Sequence, residues 1–248
     1  MPSIKTGDKA MSESSFKVHA LELGPMENFV YLVEDLSSRR CAVVDPAWDV
    51  EAIVNVANQL DLNITDILLT HSHHDHINGI EGLLNHGSAE IHLLKPEYEF
   101  WQHTLDKPSL HHGGDTLKLG ATEIQMLHTP GHTPGSACYQ LGNEIITGDT
   151  LFVFGCGRCD LSGGNPADMF ETLKTMKERL PGDMTIHPGH NYSVKKNCSF
   201  SEQVAGNPFM HYEDEESFVH YRMQIHDKTR DEPYASVSKQ QLKIANLL

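Results

Sequence analysis

Between Phe16 and Pro46, apolar and polar positions alternate in short runs. The stretches FKVHALEL, NFVYLVED and CAVVDP are rich in β-branched and aromatic residues and are parted by Gly24-Pro25 and Ser37-Ser38. That pattern predicts three β-strands. The period then changes. In WDVEAIVNVANQLDL, residues Val50, Ile53, Val54, Val56, Ala57 and Leu60 share one face of a helix. ITDILLT reads as a buried strand ending at His71, GIEGLLNHG as a short helix stopped by Gly87, and AEIHLL as a strand. Residues 96–106 read as a helix with Pro96 in its first turn.

The second half renews the alternation. DTLKLG, TEIQMLHT, SACYQLG and NEIITGD are short strands with turns between them. NPADMFETLKTMKERL is a helix: Asn165 can cap it, Pro166 suits its first position, Asp168 lies in the first turn, and Met169, Leu173, Met176 and Leu180 form one stripe. DMTIHPGH is a strand running into a loop, and the chain beyond Asn191 is polar and partly helical. Residues 1–15 form a polar lead-in, expected to be disordered, with no apolar core of a secretory signal. Strands, helix, strand and helix thus occur twice with no low-complexity linker. This predicts one compact α/β domain of two halves, with sheet sandwiched between helices.

Composition narrows the partners. A chain of 248 residues, 39% hydrophobic, can bury one sizeable core, alone or with a small appendage. No run approaches 18 apolar residues, so no membrane span is expected, and no basic amphipathic helix suggests membrane binding. The net charge of −15 speaks against nucleic acid as a partner. The five cysteines, odd in number and irregular in spacing, do not form a disulfide framework, and without an export signal a reducing cytoplasm is the expected compartment.

The 17 histidines carry the chemistry. THSHHDH crowds His71, His73, His74, Asp75 and His76 into the loop that follows a buried strand. Residues just beyond a strand's C-terminal end point into the crevice where α/β folds place their sites. Imidazole and carboxylate are the preferred ligands of zinc and also suit iron and manganese. A surface run of histidines would not follow an apolar strand. Three further strand ends carry matching groups: His128 and His132 in LHTPGHTPGS, Asp149 in IITGDTLF, and His187 and His190 in TIHPGHNY. No Gly-x-Ser-x-Gly nucleophile elbow is present.

THSHHDH, TPGHTPGS, GDTLF and HPGHNY, in this order, resemble the metallo-β-lactamase superfamily over roughly residues 16–192. The resemblance implies an αββα four-layer sandwich with metals at one edge of its two sheets. It implies two divalent metal ions, zinc first, with iron or manganese fitting the same ligands. His71, His73, His132 and Asp149 would hold one ion. Asp75, His76, Asp149 and His190 would hold the other, with Asp149 bridging. His74 is outside that scheme, and His128 and His187 would pack or support.

GDTLFVFGCGR is similar to the glyoxalase II (hydroxyacylglutathione hydrolase) branch and to the persulfide dioxygenases. The first implies hydrolysis of acyl thioesters by a metal-bound hydroxide, since metal binding lowers water's pKa to about 7. Asp75 would orient the attacking oxygen, and Arg158 and Tyr192 would contact the thiol part of the substrate. The second implies a mononuclear iron site on His71, His132 and Asp149. A non-catalytic module that keeps the fold is the third reading.

This chain departs from glyoxalase II in having Asp160 where that branch has an aromatic residue. Its C-terminal extension, residues 193–248, is short and expected on or near the active site, and within its stretch FVHYRMQIHDKTRDEP only Arg222, Lys228 and Arg230 stand out as candidate cations. Glutathione, coenzyme A and a carrier protein therefore all stay open as the thiol bearer. Cys156-Gly-Arg-Cys159 has Cys-x-x-Cys spacing but is read as part of the GCGR turn.

Overall fold

A computed structural model describes residues 14–102, 105–229 and 233–248. Strands β1 (Phe16–Leu23), β2 (Asn28–Asp35) and β3 (Arg40–Val44) form an antiparallel meander. Helix α1 (Val50–Gln59) carries the chain to β4 (Asn63–Leu68), parallel to β3. Helices α2 (His74–Ile77) and α3 (Ile80–His86) lead to β5 (Glu90–Leu94), and α4 (Lys95–Trp101) precedes β6 (Ser109–His111). These six strands form one sheet in sequence order.

The second sheet begins with β7 (Thr116–Leu119), β8 (Thr122–His128), β9 (Ala137–Leu141) and β10 (Glu144–Gly148), all antiparallel. A small hairpin, β11 (Leu151–Phe152) and β12 (Gly155–Cys156), precedes helix α5 (Pro166–Arg179). Strand β13 (Thr185–Pro188) then returns parallel to β10, and β14 (Cys198–Ser199) closes the sheet. Helices α6 (Phe200–Gly206), α7 (Glu215–His220), α8 (Asp227–Thr229) and α9 (Lys239–Ile244) follow, with a 3₁₀ turn at Pro208–His211 and a π-helical turn at Tyr221–His226.

The period-two pattern of β2 shows why the layers stack. Phe29, Tyr31 and Val33 point into a core shared with Ile124, Met126 and Tyr139 of the second sheet. Val30 and Leu32 point the other way, toward Ile53 and Ala57 of α1 and Leu83 of α3. A strand covered on both faces is buried at every position, as β2 is, and its middle, Phe29–Val33, is apolar throughout. On the far side of the second sheet, Cys138, Ile145 and Ile186 pack against Met169, Leu173 and Met176 of α5 and against Phe200, Phe209 and Phe218 of the C-terminal extension. The result is the four-layer αββα sandwich. Two phenols join the sheets through the core: Tyr31 donates to the Pro188 carbonyl and Tyr139 to that of Leu69, each at 2.6 Å.

The capped helix at residue 165 forms as expected: the Asn165 side chain accepts from the Ala167 and Asp168 amides, and Pro166 opens the helix. Elsewhere tertiary context changed the pattern. The helix expected over 96–106 ends at Trp101, because Gln102 turns to φ 52°; His103 and Thr104 lie outside the described residues. The second half repeats the order of strands, helix, strand and helix, but with a fourth strand in its antiparallel ladder and the β11–β12 hairpin before its helix. Strands β6, β11, β12 and β14 are too short to carry a periodic signal. Of the expected disordered lead-in, residues 1–13 lie outside the described residues, as does Arg230. Among the described residues no helix is long and apolar enough to cross a membrane.

Phe218 ties the extension to the sandwich, being fully buried against Phe170 of α5 and Phe209. Phe218→Ala should therefore destabilise the whole protein by about 3–5 kcal/mol, read as a lower urea midpoint in a single transition. An unchanged midpoint would show that the extension is not part of the core.

Candidate metal centre

The site lies where strands of both sheets end. β4 runs into the loop bearing His71 and His73, and the short α2 presents Asp75 and His76. The loop after β8 carries His132, the turn after β10 carries Asp149, and the loop after β13 carries His190. Backbone hydrogen bonds join these ends: Gly189 N–H donates to Gly148 O at 2.9 Å, and Ala137 N–H to Thr70 O at 2.8 Å. Gly148 is needed here. It sits at φ +47°, and a Cβ would come 2.4 Å from Thr70 Oγ1. A Cβ on Gly157, in the GCGR turn, would meet the Asp149 carbonyl oxygen at 1.9 Å.

All seven predicted ligands converge. His132 Nε2 is 2.8 Å from His73 Nδ1, and both belong with His71 to one group of potential ligands. Asp75, His76 and His190 form a second such group. His76 Nε2 and His190 Nε2 are 3.2 Å apart, and each lies 3.4–3.5 Å from Asp75 Oδ2. Asp149 reaches both groups: Oδ2 is 3.6 Å from His132 Nε2 and 3.3 Å from His190 Nε2, and Oδ1 is 3.3 Å from His76 Nε2.

Hydrogen bonds on the far side of each ring settle which nitrogen is free. The Thr70 hydroxyl gives its hydrogen to Asp45 Oδ2 at 2.6 Å, so it accepts from His71 Nδ1–H at 3.0 Å. His76 Nδ1–H donates to Asp45 Oδ2 (3.0 Å), His132 Nδ1–H to the Arg158 carbonyl (2.7 Å) and His190 Nδ1–H to the Met26 carbonyl (2.8 Å). In neutral imidazoles the four Nε2 atoms then carry lone pairs. Lone pairs on His76 Nε2 and His190 Nε2, 3.2 Å apart, repel unless a proton or a metal ion lies between them. His71 Nε2 and Asp149 Oδ1 are buried without any hydrogen-bond partner. Such groups cost about 1–3 kcal/mol each when left unsatisfied. The residues present therefore fit divalent metal ions, and His/Asp groups stand in position to hold them.

The electrostatics agree. Burial pushes His71 well below the usual imidazole range and His132 down to about 4, so both stay unprotonated and able to bind metal. Burial opposes charge on Asp149, but His190 and His76 outweigh it and hold the carboxyl well below its usual range. At His76, Asp149 and Asp45 outweigh burial and raise it well above the usual range. The field that draws a proton to His76 would also draw a metal cation.

Three supporting residues escaped the sequence reading. Asp45, at the end of β3, accepts from Thr70 N, Thr70 Oγ1 and His76 Nδ1. The strand-end argument that found Asp149 applied equally to CAVVDP. Glu97, only 1% exposed, accepts from Ser72 N–H and its hydroxyl, and from Thr133 Oγ1 and Gly135 N, so it joins two ligand-bearing loops. Asn28 holds Asp75 by donating to its Oδ2 at 2.9 Å. Helical spacing gave no hint of Glu97, because its partners come from distant loops.

The other predicted residues are placed as follows. His74 is exposed on α2. His128 bonds the Pro134 carbonyl, and His187 pairs with Glu144 at 2.8 Å. Arg158 and Tyr192 line a cleft of about 540 Å³ over the cluster, with Met26, Phe152, Leu161, Arg222 and Tyr234. Tyr192 stacks on His190, with ring centroids 4.6 Å apart and planes 8° from parallel. Arg158 spans Asp160 with two bonds of 2.7 Å. Cys156 and Cys159 are free thiols in the core. Burial pushes Cys156 up to about 12 and raises Cys159 further still, which does not suit a reactive pair.

Asp149→Ala should remove a group shared by both halves of the cluster and lower bound metal more than His74→Ala, which should match the wild type. Equal metal content in the two variants, by elemental analysis, would contradict the arrangement.

Comparison with known proteins agrees with this geometry. Residues 23–190 match the Metallo-beta-lactamase superfamily. The chain is 31% identical over 218 residues to the "Probable polyketide biosynthesis zinc-dependent hydrolase BaeB" of Bacillus velezensis, covering 87% of this chain and 97% of that protein. It is 35% identical over 183 residues to a hydroxyacylglutathione hydrolase of Aeromonas hydrophila, covering 72% of this chain and 66% of that protein. Its fold superimposes on ETHE1 from Myxococcus xanthus with a TM-score of 0.78 at 27% identity, covering 88% of this chain and 94% of that one. With the motifs, the sandwich and the strand-end cluster in agreement, the chain belongs to the metallo-beta-lactamase superfamily.

Proposed function

We propose that this protein is a dinuclear, zinc-dependent hydrolase of acyl thioesters. The observation that carries the reading is the ligand set: six side chains, His71, His73, Asp75, His76, His132 and His190, gather around Asp149, and four of the imidazoles have tied-off Nδ1 atoms. His71, His73, His132 and Asp149 are assigned to one ion, and Asp75, His76, Asp149 and His190 to the other. Bound there, the ions supply Lewis acidity and lower the pKa of water toward neutrality. The printed names of the relatives, one a zinc-dependent hydrolase and one a hydroxyacylglutathione hydrolase, support zinc and hydrolysis.

The protein's own residues do the rest. Asp75, anchored by Asn28, presents its carboxylate at the cleft floor, where it orients the attacking oxygen and accepts its hydrogen bond. Asp45 keeps His71 and His76 in the ligand tautomer through Thr70 and directly. Tyr192 and Arg158 flank the path of the thiol arm. A thioester suits this site because a thiolate departs without a general acid, and this assignment uses none. Residues 16–192 would act as the metal-binding domain. Residues 193–248 would act as the extension that walls the thiol side, contributing Arg222 and Tyr234 to the cleft.

A second reading is a mononuclear iron persulfide dioxygenase using His71, His132 and Asp149. The turn GCGRCD is as similar to that branch as to the hydrolases. The two readings separate in one assay. Purified protein should release free thiol from an acyl thioester without oxygen uptake. Oxygen consumption with glutathione persulfide, and no thiol release from thioesters, would favour the dioxygenase instead.

A further inference from the structure

The described residues lining the cleft include two guanidinium groups and no ammonium group. Each guanidinium is paired with a carboxylate, and the buried Nε of Arg222 has no hydrogen-bond partner. Arg158 spends Nε and Nη2 on the two oxygens of Asp160, at 2.7 Å each. Arg222, only 2% exposed, is paired through Nη2 with Asp227, and Nη1 lies 3.3 Å from His226 Nδ1. Each cation thus carries its own carboxylate. Arg158 in turn holds the Asp160 carboxyl down to about 2, so the pair stays ionised and internally neutral across the ordinary pH range. Apart from the cluster residues, His74 and Asp227, the rest of the described lining is apolar or aromatic: Met26 and Leu161 remain 44% and 39% exposed there, beside Tyr192 and Tyr234. A net charge of −15 adds no long-range pull on anions.

We propose that the cleft takes acyl thioesters on an uncharged thiol arm of the pantetheine type, and that the Arg158–Asp160 pair makes Asp160 the residue that disfavours glutathione. The proposal rests on the hydrolase reading above. Glutathione brings two carboxylates close to its thiol, and these need a cation to replace their lost water. A pantetheine arm offers amides and a short apolar chain over the same span, with its phosphate held outside. Those groups match Met26, Leu161 and the two tyrosines without a free cation.

The test uses the full-length, zinc-loaded protein and one butyryl group carried on pantetheine or on glutathione. The wild type should cleave the pantetheine thioester with a kcat/KM at least roughly tenfold higher. Asp160→Asn keeps the side-chain shape but releases Arg158. It should raise kcat/KM for the glutathione thioester by roughly tenfold, through KM, and leave the pantetheine thioester unchanged. Calorimetry with S-butylglutathione, a thioether that cannot be cleaved, should show the same gain in binding. Asp160→Glu, which retains the charge, should behave as the wild type and controls for folding. Butyryl-coenzyme A and a butyrylated carrier protein distinguish the two bearers of such an arm, and preference for either over glutathione supports the proposal. A wild type that prefers the glutathione thioester, or an Asp160→Asn protein that gains no affinity for the thioether, would overturn it while leaving hydrolysis intact. Release of no thiol from any of these substrates would instead sink the hydrolase reading itself.

Discussion

Four ring nitrogens with lone pairs and two carboxylates face one another within a few ångström, and most of them are buried. Without a cation this is an unfavourable arrangement: buried acceptors lack donors, and like-charged carboxylates share a small space. Everything else around the site serves to hold it. Asp45 fixes two rings, one directly and one through Thr70, while backbone carbonyls of Arg158 and Met26 fix two more. None of these four anchors needs to touch a metal. Each removes the alternative tautomer and leaves the lone pair pointing inward.

The sandwich supplies the rigidity that such an arrangement requires. The candidate ligands come from four loops, and each loop begins at a strand whose other residues are locked in a core. The sheets are then joined at the site edge by backbone hydrogen bonds and by the buried Glu97, which accepts from the loops holding His73 and His132. A side chain on a rigid strand end keeps its geometry better than one on a long free loop, and mutual placement is what metal binding reads. The cleft above is walled on one side by the C-terminal extension, which contributes Arg222, Asp227 and Tyr234 to its lining.

The legible parts of the sequence were those whose information is local. β2 and β4 show themselves by apolar runs, α5 by its cap and stripe, and the metal cluster by imidazoles crowded behind strands. Asp45 and Glu97 were not found, although each is nearly fully buried and each secures a ligand loop. Their importance comes from partners 25 to 38 positions away, a relation that no periodicity records. The pairing of Arg158 with Asp160 was not read from the sequence, where Arg158 stood as a contact for the thiol part of the substrate. The two residues are close neighbours, but only the observed side-chain directions show both nitrogens committed to one carboxylate.

On the proposed reading this constellation holds two metal ions around one shared carboxylate, Asp149. The most direct measurement is the metal-to-protein ratio, by elemental analysis of protein purified without added metal and again after titration with zinc to saturation. Two ions per chain at saturation, released together by a strong chelator, is the predicted result. Saturation at one ion per chain would contradict it.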